Sequence, residues 1–330
     1  MKPHYNTQRK TMRSITKVLM LSLLLAASAI ASEATPAPKA AAHDVKVFTS
    51  DNADGKVTAK TIQAVFEESG FMVEANNDMN APYKRDFNNT YFDVYNLMVM
   101  WRKDMVMALA EKYPEVGLYA PMTASIYTRK GDKTISVGYL SAPALAKIIG
   151  VPADNPAIVD LGKKLEEALK KAMPNGKFAT LDYQMKPHAK DVVTRVSFEL
   201  KGDDWEEAKD EFQMEFEGEV ARLKFVAAAF TDLNYDLDEN EKDWYTFYDV
   251  YSICKIPVIY QVSQKHPEAG AFGPCSMYMY QKKGEKTVHI AYTNVNKWIE
   301  ALNIDDEKSL EVLIDAQKKL EEILAKLIKK

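Results

Sequence analysis

Two cysteines, five histidines and thirteen glycines are spread over 330 residues, and each scarcity excludes a class of protein. A small disulfide-stapled fold needs a denser cysteine framework. Cys254 and Cys275 also lack the Cys-x-x-Cys spacing of thiol oxidoreductases. The histidines (His4, His43, His188, His266 and His289) form no pair at zinc-ligand spacing. No Gly-rich phosphate loop, Gly-x-Ser-x-Gly elbow or His-Glu-x-x-His helix occurs. Excess positive charge is missing too: 43 Lys+Arg face 47 Asp+Glu for a net charge of -4, which argues against a nucleic-acid partner. Beyond residue 31 no uninterrupted apolar run approaches the length of a membrane-spanning helix.

What is present begins with Lys2, Arg9, Lys10, Arg13 and Lys17, then an apolar run from Val18 to Ala27 and the small-x-small tripeptide Ala29-Ile30-Ala31. That order is the pattern of a signal peptide. We expect residues 1–31 to be cleaved after Ala31 and the chain to be periplasmic or otherwise exported, not membrane-embedded once the leader is gone. Translation from Met12 would leave a complete leader as well. A retained leader acting as an anchor is the competing reading, and the shortness of the run counts against it. Cleavage leaves 38 Lys+Arg against 47 Asp+Glu, a net charge of -9. Residues 32–43 are small and rich in Pro and Ala, the composition of a flexible linker.

The remainder contains an internal repeat. Thr90 to Leu97 reads TYFDVYNL and Thr246 to Ile253 reads TFYDVYSI, with four identities in eight. Tyr113 to Tyr139 lies without a gap over His266 to Tyr292, with ten identities in 27 positions; average composition would give about two by chance. Each copy presents an alternating aromatic strand, a short helix (102–112, 257–265), a Pro-Glu-x-Gly loop, and a hairpin whose turn carries Arg-Lys-Gly-Asp or Lys-Lys-Gly-Glu. A long amphipathic helix closes each: Ile158, Leu161, Leu165 and Leu169 line one face of the first, Leu310, Leu313, Leu320, Leu324 and Leu327 one face of the second. The expected fold class is α+β, two tandem copies of a small domain in which an antiparallel sheet packs against helices. The copies span 44–176 and 177–330, joined at Pro174-Asn175-Gly176.

The run Tyr-Asp-Val-Tyr-Ser-Ile-Cys-Lys-Ile-Pro (248–257), then His-Pro-Glu-Ala-Gly-Ala-Phe-Gly-Pro-Cys (266–275) and an alternating hairpin, resembles the domain-of-unknown-function 302 family. The resemblance implies an α+β domain with an antiparallel sheet, sometimes in tandem, and supplies no reaction. Where the second copy has Cys254 and Cys275, the first is read as carrying Met98 and Met122, so any thiol chemistry belongs to one domain.

Three readings of Cys254 and Cys275 stay open: a disulfide, favoured by an oxidising compartment, two free packed thiols, or a redox or soft-metal site with Met98, Met122 or His266 as helpers. Met98, Met100, Met105 and Met107 crowd one segment, where gap-filling core methionine is the plainer reading. Asp232, Asn234, Asp236, Asp238, Asn240 and Asp243 alternate like calcium-loop oxygens, but Leu237 stands where such a loop needs Gly; Ser50-x-Asn52-x-Asp54-Gly55 starts similarly and puts Thr61 at its end. Both read as solvated loops. No cofactor is expected. The function that fits is non-catalytic binding of a small ligand or protein partner in a cleft between sheet and helices or between domains, with a redox or soft-metal protein using Cys254 and Cys275 as the alternative.

Overall fold

Gly131 (φ 82°) and Gly284 (φ 77°) sit at the tips of two hairpins in left-handed backbone, which a side chain resists and glycine does not. Around each hairpin the chain builds one half of the fold. The computed structural model describes residues 43–187, 191–202 and 204–329; the expected leader, the linker up to residue 42, His4 and His188 lie outside them. Residues 41–330 form one compact unit.

The first half runs β1 (Val45–Asp51), α1 (Ala59–Glu68), β2 (Met72–Asp78), α2 (Asn80–Phe87), β3 (Phe92–Trp101), α3 (Lys103–Leu109), a 3-10 turn over Pro114–Leu118, β4 (Met122–Arg129), β5 (Thr134–Leu140), α4 (Ala142–Ile149) and α5 (Pro156–Ala172), with a two-residue strand β6 (Lys177–Phe178) after it. The second runs β7 (Val193–Glu199), α6 (Trp205–Arg222), β8 (Val226–Asp232), α7 (Leu233–Asp238), β9 (Tyr245–Cys254), α8 (Ile256–Ser263), a 3-10 turn over Pro267–Ala271, β10 (Cys275–Lys282), β11 (Thr287–Thr293), α9 (Asn296–Ala301) and α10 (Glu307–Leu327). Apart from β6 the order of element types is the same. The strands form two antiparallel sheets, β2-β3-β4-β5-β1-β6 and β7-β11-β10-β9-β8, so the fold is α+β, one sheet to each half.

Helix ends are fixed locally. Thr58 and Thr61 make a reciprocal capping box at α1. Asn155 caps α5 ahead of Pro156, Asp204 caps α6, and Asp306 caps α10 through the Ser309 amide. Strand alternation then sorts the two sheet faces. In β10, Cys275, Met277 and Met279 share a face; Cys275 and Met277 look into a cavity lined also by α8 and α10. Ser276, Tyr278 and Tyr280 take the other face, toward the first half.

There the halves clasp each other, in contacts that come as reciprocal pairs. Tyr95 Oη donates to the carbonyl of Pro267 at 3.0 Å, and Tyr248 Oη donates to that of Pro114. Thr123 Oγ1 donates to Pro274 O at 3.2 Å, and Ser276 Oγ donates to Pro121 O at 2.6 Å. The 3-10 turn of each half thus lies on the sheet of the other. Gly270 permits that approach, since a Cβ there would sit 2.6 Å from Ser125 Cβ. Burial raises the Tyr95 and Tyr248 hydroxyls well above their usual range, keeping them protonated as donors. At one end, Lys297 at the start of α9 is fully buried and ion-paired with Asp44, just before β1. Among the described residues no helix is long and apolar enough to cross a membrane.

Candidate functional site

An apolar cavity of about 60 Å³ lies in the second half between the sheet and helices α8, α9 and α10. Ile253, Cys275 and Met277 form its floor, Val258 and Ile259 one wall, and Leu313 and Leu320 the roof. Cys254 and Trp298 complete the lining near the end of β9 and the start of α9. The Trp298 indole is only 3% exposed, and its Nε1 has no hydrogen-bond partner. A buried donor without a full acceptor costs about 1–3 kcal/mol, and the group this N–H acts on is the Cys275 thiol.

The two thiols are free. No disulfide joins Cys254 to Cys275, contrary to one expectation above. The cause is register: Cys275 lies opposite Ile253 in the β9–β10 ladder, one position from Cys254, and neighbouring positions on a pleated strand project to opposite faces. A disulfide needs converging Cβ vectors. Burial pushes both thiols up to about 12, Cys254 with a smaller push from Cys275, while the Trp298 indole pulls slightly the other way on Cys275. The Cys275 S–H also donates to Phe272 O at 3.2 Å. Neutral thiols of this kind pack well and attack poorly.

The first half resolves why the cavity occurs where it does. From β3 to β5 every element starts 153 positions before its counterpart in the second half: residues 92 and 245, 103 and 256, 114 and 267, 122 and 275, 134 and 287. Met122 therefore stands where Cys275 does, as expected, but the residue in the place of Cys254 is Trp101, not Met98. Trp101 is buried and donates from Nε1 to Glu74 at 2.7 Å. Large residues stand in the first half where small thiols leave space in the second.

Other residues singled out in the sequence lie elsewhere. His266 Nδ1 is 3.3 Å from Glu268 Oε1, which also accepts from Tyr183 Oη at 3.0 Å. Glu268 is buried, and this pair serves the clasp rather than the cavity. Met98 and Met100 are buried in β3 and Met105 in α3, with Met107 packed beside them. His289 lies on β11, beside the edge strand β7, 3.0 Å from Ser197 Oγ, and His43 packs edge-on against Tyr183. The expected acidic loop at 232–243 is in part helix α7: Asp232 caps it at the Tyr235 amide, Asn234 bonds Asp238, and Asp236 pairs with Lys103 at 2.6 Å. Asn52 holds a turn through both its amide atoms on Val57. No group of three or more His, Cys, Asp or Glu able to hold a metal occurs among the described residues.

No sequence signal marked Trp298 as a lining residue, nor Lys255, whose Nζ lies 3.0 Å from Asp315. A lone lysine after a strand resembles any solvated lysine. Only the packing of α10 over β9 makes it a wall.

No curated protein matches this chain. A crystal structure of an uncharacterized conserved protein DUF302 from Bacillus stearothermophilus is similar at 20% identity, over 41% of this chain and 96% of that one, with a TM-score of 0.34. The family described as Domain of unknown function DUF302 matches residues 204–327, the stretch from the cap of α6 to the end of α10 that encloses the cavity, and that stretch is similar to a DUF302 domain.

Proposed function

We propose that the chain is an exported, non-catalytic binding protein made of two copies of one domain, 44–176 and 177–330, released from a leader over residues 1–31. Its second domain takes a small, largely apolar ligand in the cavity beneath α10. The matching element order and reciprocal clasp support the duplication. The observation that carries the binding reading is the cavity itself, an apolar space bordered by two neutral thiols and one unpartnered indole N–H. Apolar walls with a few placed polar groups are the usual makeup of a ligand site. At about 60 Å³ it is smaller than the ~150 Å³ engineered cavity that admits benzene, which suits a tail of a few carbons.

Native mass spectrometry of the chain recovered from its source tests this reading. A retained mass that leaves on denaturation, and is missing from Cys275→Met, supports it. A bare chain that also fails to bind short alkyl alcohols or acids in titration overturns it. The second reading, soft-metal or redox handling, draws on two free thiols that both border the cavity. Copper(I) titration of the wild type against the Cys254→Ser, Cys275→Ser double variant decides it, since equal uptake removes the thiols from consideration.

A further inference from the structure

The mouth of the cavity differs in character from its walls. Lys255 lines the space with its stem, and its side chain is only 11% exposed. Its ammonium stands 5.1 Å from the ring of Phe225, another lining residue, and 3.0 Å from Asp315 on α10. One helical turn on, Lys319 reaches the same carboxylate at 2.7 Å. Two ammonium groups therefore share one carboxylate, with Glu322 acting on Lys319 from further along the helix. Lys255 is also the N-cap residue of α8, an eight-residue helix with no side-chain cap and with Pro257 in its first turn. The partial positive end of that helix dipole faces the same mouth.

The first half shows the same position without a vacancy. Arg102, the counterpart of Lys255, spends its guanidinium on both oxygens of Asp104 at 2.9 and 2.6 Å and on Ser69 O at 2.8 Å, beside the filled place of Trp101. Lys164 reaches the same Asp104 carboxylate at 2.8 Å, so both halves set two cations on one carboxylate, and the second sets them beside the apolar cavity.

We infer that the ligand is a small monocarboxylate, with its short apolar tail beneath α10 and its carboxylate at the mouth against Lys255. This rests on the cavity being a ligand site. Charge complementarity selects the class: a carboxylate gives Lys255 an acceptor it does not share with Lys319, which a neutral molecule of the same length does not. Charge-assisted hydrogen bonds are the stronger kind.

Calorimetric titration of the full chain with pentanoate and with 1-pentanol, in wild type, Lys255→Met and Asp315→Asn, tests the assignment. Pentanoate is expected to bind wild type on the order of ten- to a hundredfold tighter than 1-pentanol. Lys255→Met is expected to remove that preference, read as the ratio of the two affinities within the variant. Asp315→Asn, which frees both lysines, strengthens pentanoate alone, so the assignment stays testable if Lys255→Met loses the fold. Should 1-pentanol bind wild type as well as pentanoate, or Asp315→Asn fail to favour the acid, the carboxylate assignment falls while the ligand site stands. If neither compound binds, the ligand site itself falls.

Discussion

Replacing Cys275 by the residue at the matching place in the first half, methionine, tests whether the cavity is real space. Cavity cost in protein cores runs at about 24 cal/mol per Å³. For a volume of about 60 Å³, complete filling returns at most about 1.4 kcal/mol, close to tenfold in the unfolding equilibrium. Methionine is unbranched and flexible enough to follow an irregular space. Cys275→Met should therefore match or exceed the wild type in urea unfolding, with a melting temperature raised by up to about 2–4 °C, and should lose small-ligand binding. Cys275→Ala enlarges the space and should destabilise. A methionine variant that loses more than about 1 kcal/mol, the cost of overpacking a filled core, would refute the reasoning, most plainly if ligand binding survived.

Three further outcomes are expected. Thiol titration with a bulky disulfide reagent should find two thiols in the unfolded chain and almost none reacting promptly in the native one; no thiols after unfolding would mean that Cys254 and Cys275 pair. Tyr95→Phe and Tyr248→Phe should each destabilise by about 1–2 kcal/mol, since each strips a buried proline carbonyl of its donor, and a variant unchanged in urea unfolding would remove that tyrosine from the clasp. Arg102, and secondarily Lys164, hold the Asp104 carboxyl well below the usual carboxylate range. A depressed folded value stabilises above the unfolded value near 4 and is lost as pH falls below it. Asp104→Asn should thus be less stable than wild type at pH 7, with the gap narrowing as pH falls below about 4 and still partly open at pH 2 in paired denaturant melts; a gap independent of pH would exclude the ion pair as its source.

The hairpins, the closing helices and the Pro-Glu turns were legible in the sequence because each is signalled locally: glycine at a turn, proline at a first helical position, a 3.6-residue apolar period. The phase of the central strand was not. TYFDVYNL and TFYDVYSI look alike three positions out of step with the strands they belong to, because aromatic alternation is self-similar. Both strands also carry a bulge near their start, between Phe92 and Val94 on β3 and opposite Gln281 and Lys282 on β9. An odd slip exchanges the faces of a strand. It set Cys254 in the place of Met98, which hid that Cys254 and Cys275 project to opposite faces. Short helices such as α2, α7 and α9 escaped notice for another reason: six to eight residues seldom hold a helix by propensity, so their surroundings decide. The cavity follows from a difference between halves, Trp101 and Met122 against Cys254 and Cys275, which shows only when the correct phase is known.

The reciprocal clasp has a consequence for how the molecule comes apart. Neither half can swing away without stripping hydroxyl donors from the turn of the other and exposing the inner face of both sheets to water. Heat should therefore meet a single cooperative endotherm spanning residues 44–329, where two independent beads on a string would melt in two steps.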